Sequence, residues 1–314
     1  MKSRFTIGSR GSRLALWQAE WVKTALETNF TNFIFTIEII KTSGDSMKDA
    51  PLAVIGGQGV FVKEIENALI EGRIDLAVHS LKDLPTAIPD ALCLAAITER
   101  EDPRDALVLR ADYGVEVSSL LNLPMDAIVG TSSPRRLAQL KHLCPDRIVK
   151  DLRGNVDSRL RKLDGGWYDA VILAAAGLLR LDLNERISAY LDPKEMLPAV
   201  GQGALGIETR ADDDETLALV HTLNHVQSAA ACYAERAFLL ALGGGCQLPI
   251  AGHASVHEDH LRLVGLVTSL DGEKQIRDTI EGKTENAEEL GDRLAKHLLE
   301  SGASELIQPR IPAA

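Results

Sequence analysis

Ala127-Ile-Val-Gly-Thr-Ser-Ser-Pro-Arg-Arg-Leu-Ala-Gln-Leu-Lys-His-Leu143 reads as a strand, a turn and a helix in immediate succession. Residues 127–129 are a short apolar strand. Ser133 suits a helix N-cap, and Pro134 suits the first helical position of 134–143. A strand feeding directly into a helix is the unit of an α/β layer. The unit recurs in both directions along the chain. Towards the C-terminus come strand 147–149, helix 156–163 and strand 170–174. Towards the N-terminus, strand 5–8 precedes helix 12–27, with Leu14, Trp17, Trp21 and Leu26 at helical spacing. A β-rich run 33–41 follows, then an amphipathic segment 60–71 carrying Ile65, Leu69 and Ile70, and strands 74–78 and 92–97. Two α/β blocks with largely parallel sheets are expected. The polar run Thr98-Glu-Arg-Glu-Asp-Pro-Arg-Asp105 reads as a linker crossing between them. The remainder changes character. An Ala-rich helix 226–242 runs into Gly243-Gly-Gly, followed by strand-like runs 250–256, 261–269 and 275–281 and a final helix 287–300. That succession predicts a small α+β unit.

The chain has 314 residues, which implies more than one core. A net charge of −11 argues against general nucleic-acid binding, while leaving room for a local basic site. The N-terminus has no secretory pattern, and the longest apolar stretch, 171–179, is too short to span a bilayer. No membrane association is expected. Cys93, Cys144, Cys232 and Cys246 form no metal-ligand spacing, so no metal is expected. Free thiols point to a reducing cytoplasm.

Arginines sit where helix physics disfavours them. Arg135 and Arg136 fall in the first turn of a helix, against the dipole, beside Thr131, Ser132 and Ser133. Two readings compete: a solvated, slightly unfavourable pair, or an anion site built on a helix N-terminus. The design recurs. Arg10, Ser12 and Arg13 lie between the first strand and helix. Arg153 precedes a helix that Asn155 can cap, with Arg159 one turn further on. Arg180 follows strand 170–174 and a turn at Gly177. In open α/β sheets ligands bind at the carboxyl ends of strands, so these arginines would converge on one cleft. Guanidinium groups there suit a polycarboxylate or phosphate. The repetition favours the anion site.

Three further features are ambiguous by themselves. Gly56-Gly-Gln-Gly59 is no nucleotide-binding loop; it is a lid over the cleft or an ordinary turn. Lys82-Asp83 follows strand 74–78 through His79-Ser80-Leu81, so Asp83 is either a turn former or a catalytic carboxylate at a strand's carboxyl end. Cys246 follows a triple glycine that stops a helix; it is either a small buried hydrophobe or a thiol presented to the cleft.

Taken together, several segments resemble the porphobilinogen deaminase (hydroxymethylbilane synthase) family. They are Gly8-Ser-Arg-Gly-Ser-Arg-Leu-Ala15, Gly56-Gly-Gln-Gly-Val-Phe-Val-Lys-Glu64, Ala77-Val-His-Ser-Leu-Lys-Asp83, Glu99-Arg-Glu-Asp-Pro-Arg-Asp-Ala106, Gly130-Thr-Ser-Ser, Arg135-Arg136, Leu152-Arg-Gly-Asn-Val156, Pro198-Ala-Val-Gly-Gln-Gly203, and Glu235-Arg through Gly244-Gly-Cys-Gln. They run in family order over almost the whole chain. The resemblance implies two α/β domains like periplasmic binding proteins and a small α+β C-terminal domain. These would cover 1–99 with 203–221, 100–202, and 222–314, with crossings near 99–102 and 198–203. It implies stepwise head-to-tail condensation of four porphobilinogen molecules on a covalent dipyrromethane, with loss of ammonia. Hydrolysis then releases the linear tetrapyrrole hydroxymethylbilane, a step of haem biosynthesis.

By the same resemblance Cys246 would carry the dipyrromethane through a thioether, and Asp83 would be the catalytic carboxylate. Lys82, Asp83, Ser80, Thr131, Ser132, Ser133, Arg135, Arg136 and Arg153 would hold the cofactor. Arg10, Ser12, Arg13, Arg153, Arg159 and Arg180 would hold the substrate. A buried, ionised Asp83 among arginines would offset positive charge as ammonia leaves. Pro134 and Leu248 depart from the family pattern, at positions outside the proposed ligand set. The family favours a monomer. Two other readings remain. One is a non-enzymatic two-lobed carboxylate- or anion-binding module. The other is a cysteine hydrolase drawing a base from His79, His142, His221, His225 or His253, none of which sits in a recognisable hydrolase motif.

Overall fold

Leu76–Ser80 is buried on both faces, the mark of a strand between two helical layers, and it lies at the centre of its sheet. In the computed structural model, which describes residues 2–43, 62–114, 117–243 and 248–307, this strand is β3. Before it come β1 (Arg4–Ser9), α1 (Arg13–Asn29), β2 (Ile34–Ile39) and α2 (Lys63–Ile70); β4 (Leu92–Ile97) follows. Phe5, Ile7, Val22, Leu26 and Val78 fill one side of the sheet, and Ile65, Leu69, Ile74 and Ala77 fill the other.

The second block contains β5 (Asp105–Leu109), β6 (Ile128–Gly130), α3 (Pro134–Leu143), β7 (Ile148–Lys150), α4 (Val156–Asp164), β8 (Ala170–Ala174), α5 (Ala175–Leu179) and β9 (Ala189–Tyr190). The chain then returns to the first sheet as β10 (Leu205–Arg210). The two sheets follow one plan. The first is ordered β2-β1-β3-β10-β4 and the second β7-β6-β8-β5-β9. In each, three parallel strands are followed by one antiparallel strand, the first the chain makes on arriving from the other sheet. The chain therefore passes between the sheets twice. The two passages are tied: Glu101 N–H donates to the Gly203 carbonyl at 3.1 Å. Gly203 has φ +92, and a Cβ there would strike the Glu101 carbonyl, so glycine is required.

After α6 (Asp214–His221), which packs Leu219 and Val220 into the first core, comes the third unit. It comprises α7 (Val226–Ala241), the antiparallel strands β11 (Ile250–His257), β12 (His260–Thr268) and β13 (Gln275–Lys283), α8 (Ala287–Glu300) and α9 (Ala303–Ile307). Phe238, Leu263 and Leu294 form its centre.

The α/β class, with two like lobes and a smaller α+β unit, is as expected from the sequence. Four local expectations are corrected. The sheets are mixed, because β5 and β10 run against their neighbours. The linker 98–105 ends in the first residue of β5. Gly177 lies inside α5 instead of forming a turn, because the helix starts directly after β8 and buries Gly177 against Leu14 and Val156. The helix expected over 60–71 spans Lys63–Ile70. The Gly56–Gly59 loop and Cys246 lie outside the described residues.

Candidate active site

Most of the described site residues stand where a strand ends and a helix begins; Arg159 lies inside α4 and Arg180 at the C-terminal end of α5. On the first lobe, Ser12 caps α1, its hydroxyl accepting from Ala15 N–H at 3.3 Å. Ser80, ending β3, exchanges hydrogen bonds with the Gln18 amide at 2.9 and 3.2 Å. A single 3-10 turn, Leu81–Asp83, then presents Lys82 and Asp83. Arg10, Ser12, Gln18, Ser80 and Asp83 line one small cavity of about 70 Å3. Asp83 is exposed, which corrects the expectation of a buried carboxylate. It closes a turn at the rim, beyond the end of the buried strand.

Lys82 is half-buried as a residue, with its ammonium deeply enclosed. Burial pushes its pKa down to about 8; Asp83 and Asp105 oppose the shift, while Arg136 and Arg135 add to it. Its Nζ donates to Gln202 Oε1 at 3.2 Å.

On the second lobe, Ser133 caps α3 and Pro134 is its first residue. Arg135 and Arg136 are buried, each 5% exposed, which overturns the solvated-pair reading. Both reach Asp105 at the start of β5: Arg135 at 2.7 and 3.2 Å, and Arg136 at 3.1 and 2.7 Å. Burial raises the pKa of Asp105, but the two guanidinium groups hold it well below the ordinary carboxylate range. Thr131 is buried and accepts from Ser133 N–H at 3.2 Å. The Ser132 hydroxyl donates to the Leu152 carbonyl and accepts its N–H, clamping the loops before α3 and α4 together.

Arg153 pairs with Asp151 at 3.0 Å. Arg159, one turn into α4 and bonded to the Gly154 carbonyl, is pushed down to about 10 by burial and by Arg136, against Asp83 and Asp151. The two lobes face one another here: Arg13 of the first reaches Asp157 of the second, and Asp83 lies near enough to favour the charged form of Arg159. Arg180 donates to the Gly203 carbonyl at 2.7 Å and lies over the Trp17 ring; burial takes it to about 10. The structure thus brings together Asp83, Lys82, Arg135, Arg136 and Arg159. Arg13 stands apart. It is exposed, and pairs with Asp157 at 3.1 Å across the lobes.

Two residues of the site escaped sequence reasoning. Asp105 and Gln202 both fall within motifs quoted above, yet their partners lie far away in the chain. Four of the five histidines offered as hydrolase bases are engaged elsewhere. His79 pairs with Glu208, His142 bonds the Gly272 carbonyl, His225 caps α7, and His253 lies 3.5 Å from Glu235.

Lys82, Arg159 and Arg180 are cations whose pKa values burial depresses, a cost that a bound anion would offset. An anionic, carboxylate-bearing group fits among them. A two-lobed α/β cleft of this kind defines a protein for small polyanionic ligands. The chain belongs to the porphobilinogen deaminase family. Residues 5–218 match the family described as porphobilinogen deaminase, dipyromethane cofactor binding domain, and residues 229–300 match its C-terminal domain. The porphobilinogen deaminases of Pelobacter propionicus and Syntrophotalea carbinolica are each 50% identical, over 96% and 97% of this chain and 96% and 95% of their own. That of Nostoc sp. is 48% identical over 96% of this chain and 93% of its own. The solved VFT2 domain of Bordetella pertussis BvgS aligns at TM-score 0.42 and 15% identity, over 70% of this chain and 86% of that one.

Proposed function

We propose that this chain condenses four porphobilinogen molecules head to tail on a covalently held dipyrromethane, releases ammonia at each step, and frees hydroxymethylbilane by hydrolysis. The observation that carries this reading is the gathering of the cations Lys82, Arg135, Arg136 and Arg159 with the exposed carboxylate Asp83 where the two lobes meet. Each pyrrole of the substrate brings two carboxylates, so a growing chain needs many cations.

Bound dipyrromethane supplies the free pyrrole end to which each new unit is joined. The chain's own residues do the rest. Lys82, Ser80, Thr131, Ser132, Ser133, Arg135, Arg136 and Arg153 hold the cofactor, and Cys246, outside the described residues, anchors it. Arg10, Ser12, Arg13, Arg153, Arg159 and Arg180 hold the carboxylates of the incoming substrate. Asp83 accepts pyrrole N–H groups. As the substrate's C–N bond breaks and ammonia departs, the carboxylate of Asp83 offsets the positive charge that develops. The chain divides into 1–99 with 203–221, 100–202, and 222–314. It works as a cytoplasmic monomer with no nucleic-acid or membrane partner; among the described residues, no helix is long and apolar enough to cross a membrane.

The intact mass of the purified, denatured protein tests this reading beside Cys246→Ser. The expected result is an excess of two linked pyrrole units that the variant lacks. An unmodified protein that gains no adduct after incubation with porphobilinogen would sink the assignment and leave the anion-binding module standing.

A further inference from the structure

Gln202 lies on the passage that returns the chain to the first lobe, and it is 1% exposed. Its side-chain amide meets three partners from two directions. Oε1 accepts from Lys82 Nζ at 3.2 Å. Nε2 donates to the Pro103 carbonyl at 2.7 Å and to Asp105 Oδ1 at 2.9 Å. Both amide hydrogens are therefore used, and the orientation is forced: a flipped amide would set NH2 against an ammonium and oxygen against a carboxylate.

We infer that Gln202 is a positioning residue for the condensation, bridging the Lys82–Asp83 turn of the first lobe to the Asp105–Arg135–Arg136 cluster of the second. Lys82 and Asp83 share a single 3-10 turn, so holding the ammonium fixes the turn that carries the carboxylate. Asp105 bonds both arginines, so holding Asp105 fixes the cationic wall opposite. The groups facing the Lys82 ammonium are Asp83, Asp105, Arg135 and Arg136. The bridge works in a low-dielectric interior, where an amide between opposite charges is strongly oriented.

The main chain at this point is secured by other means. The Gln202 carbonyl accepts from Arg100 Nε at 2.8 Å, Gly201 N–H donates to Glu235, and the Gly203 carbonyl accepts from Glu101 and Arg180. Side-chain substitution therefore addresses the bridge and leaves the crossing in place. The inference rests on the reading of Lys82 and Asp83 as site residues.

Gln202→Met keeps the length and removes every hydrogen bond of the amide. Gln202→Glu keeps an acceptor for Lys82 and turns the contact with Asp105 repulsive. Both are compared with wild type as full-length holoenzyme, by intact mass, kcat, KM for porphobilinogen, and the pH profile of kcat. In Gln202→Met, kcat is expected to fall by up to about 10²-fold, as for other misplacements of a reacting geometry, with KM little changed. The alkaline limb of the profile moves to lower pH, because the ammonium has lost an acceptor. In Gln202→Glu the limb moves to higher pH while kcat stays low. Opposite movements of one limb are not what a packing defect produces.

A Gln202→Met enzyme with wild-type kcat and an unmoved limb overturns the inference. If Gln202→Met does not load its cofactor, Gln202→Glu decides, and a limb that fails to rise overturns it. Asp83→Asn run alongside separates the two levels. Full activity there removes the site reading itself, whereas low activity with unmoved Gln202 profiles removes only the bridge.

Discussion

Arg135 and Arg136 stand together in the first turn of α3, where each exposed cation would cost about 0.3–1 kcal/mol against the helix dipole. Asp105 resolves the conflict from another element, with both guanidinium groups on one fully buried carboxylate. Removing that charge leaves two buried cations uncompensated. Asp105→Asn is expected to lower unfolding stability by about 3–5 kcal/mol, read from urea unfolding. Asp83 should behave oppositely. It is exposed, so Asp83→Asn should hold stability within about 0.5 kcal/mol. It should cut kcat by about 10²–10³-fold, the usual loss when a charge-stabilising group is removed. A large stability loss with kcat retained would reverse the roles assigned to the two aspartates. Lys82 adds a pH dependence. Its ammonium titrates at about 8, and a carboxylate ligand needs the charged form. Cofactor acquisition by the apoenzyme from porphobilinogen should therefore slow as pH rises through about 8, and Lys82→Gln should abolish that limb. Of these distinctions the sequence shows only part. Both aspartates lie near prolines in polar stretches, and residues thirty or more positions away decide which is buried and paired.

The strand-to-helix units were legible because period-2 and period-3.6 patterns are local, and because Ser12, Ser133 and Asn155 cap their helices as such residues do. Strand direction is not local. Nothing within β5 or β10 marks their direction, and they run antiparallel because each enters its sheet from the other lobe. β9 is two residues long and carries no periodicity. The packing of the β12–β13 hairpin on α3 is also tertiary. Gly272 has φ +81, and a Cβ there would stand 2.6 Å from His142 N and 2.8 Å from the Ala138 carbonyl. Gly302 shares the unusual backbone, with φ +95, but has nothing within 4 Å of its would-be Cβ. Gly302→Ala therefore measures the backbone penalty alone, about 1 kcal/mol or slightly more. Gly272→Ala adds the clash and should cost about 1–3 kcal/mol beyond it, since α3 must yield. Equal urea midpoints for the two variants would mean that the hairpin does not press on the helix that carries Arg135 and Arg136.

At the scale of the molecule, one side chain ties the third unit to both passages between the lobes. Glu235, fully buried on α7, accepts from both terminal guanidinium nitrogens of Arg100 on the outgoing passage, at 2.6 and 3.2 Å. It also accepts Gly201 N–H of the returning passage at 2.6 Å and Ala254 N–H of β11 at 2.7 Å. Burial raises its pKa, yet Arg100 and His253 bring it down to about 2, from an ordinary value of 4.5. A carboxylate depressed in the folded state contributes stability that is fully present above its unfolded pKa and is lost as pH falls through the folded one. Glu235→Gln should therefore be less stable than wild type by about 3–5 kcal/mol at neutral pH, the usual cost of breaking a buried ion pair. The gap should hold steady down to the ordinary glutamate range and then narrow as the pH falls towards about 2. Urea unfolding of both proteins from pH 7 downwards reads the gap directly. A gap that stayed constant well below the glutamate range would mean that the charge of Glu235 does not hold the crossings, and that the amide in its place fails for reasons of shape.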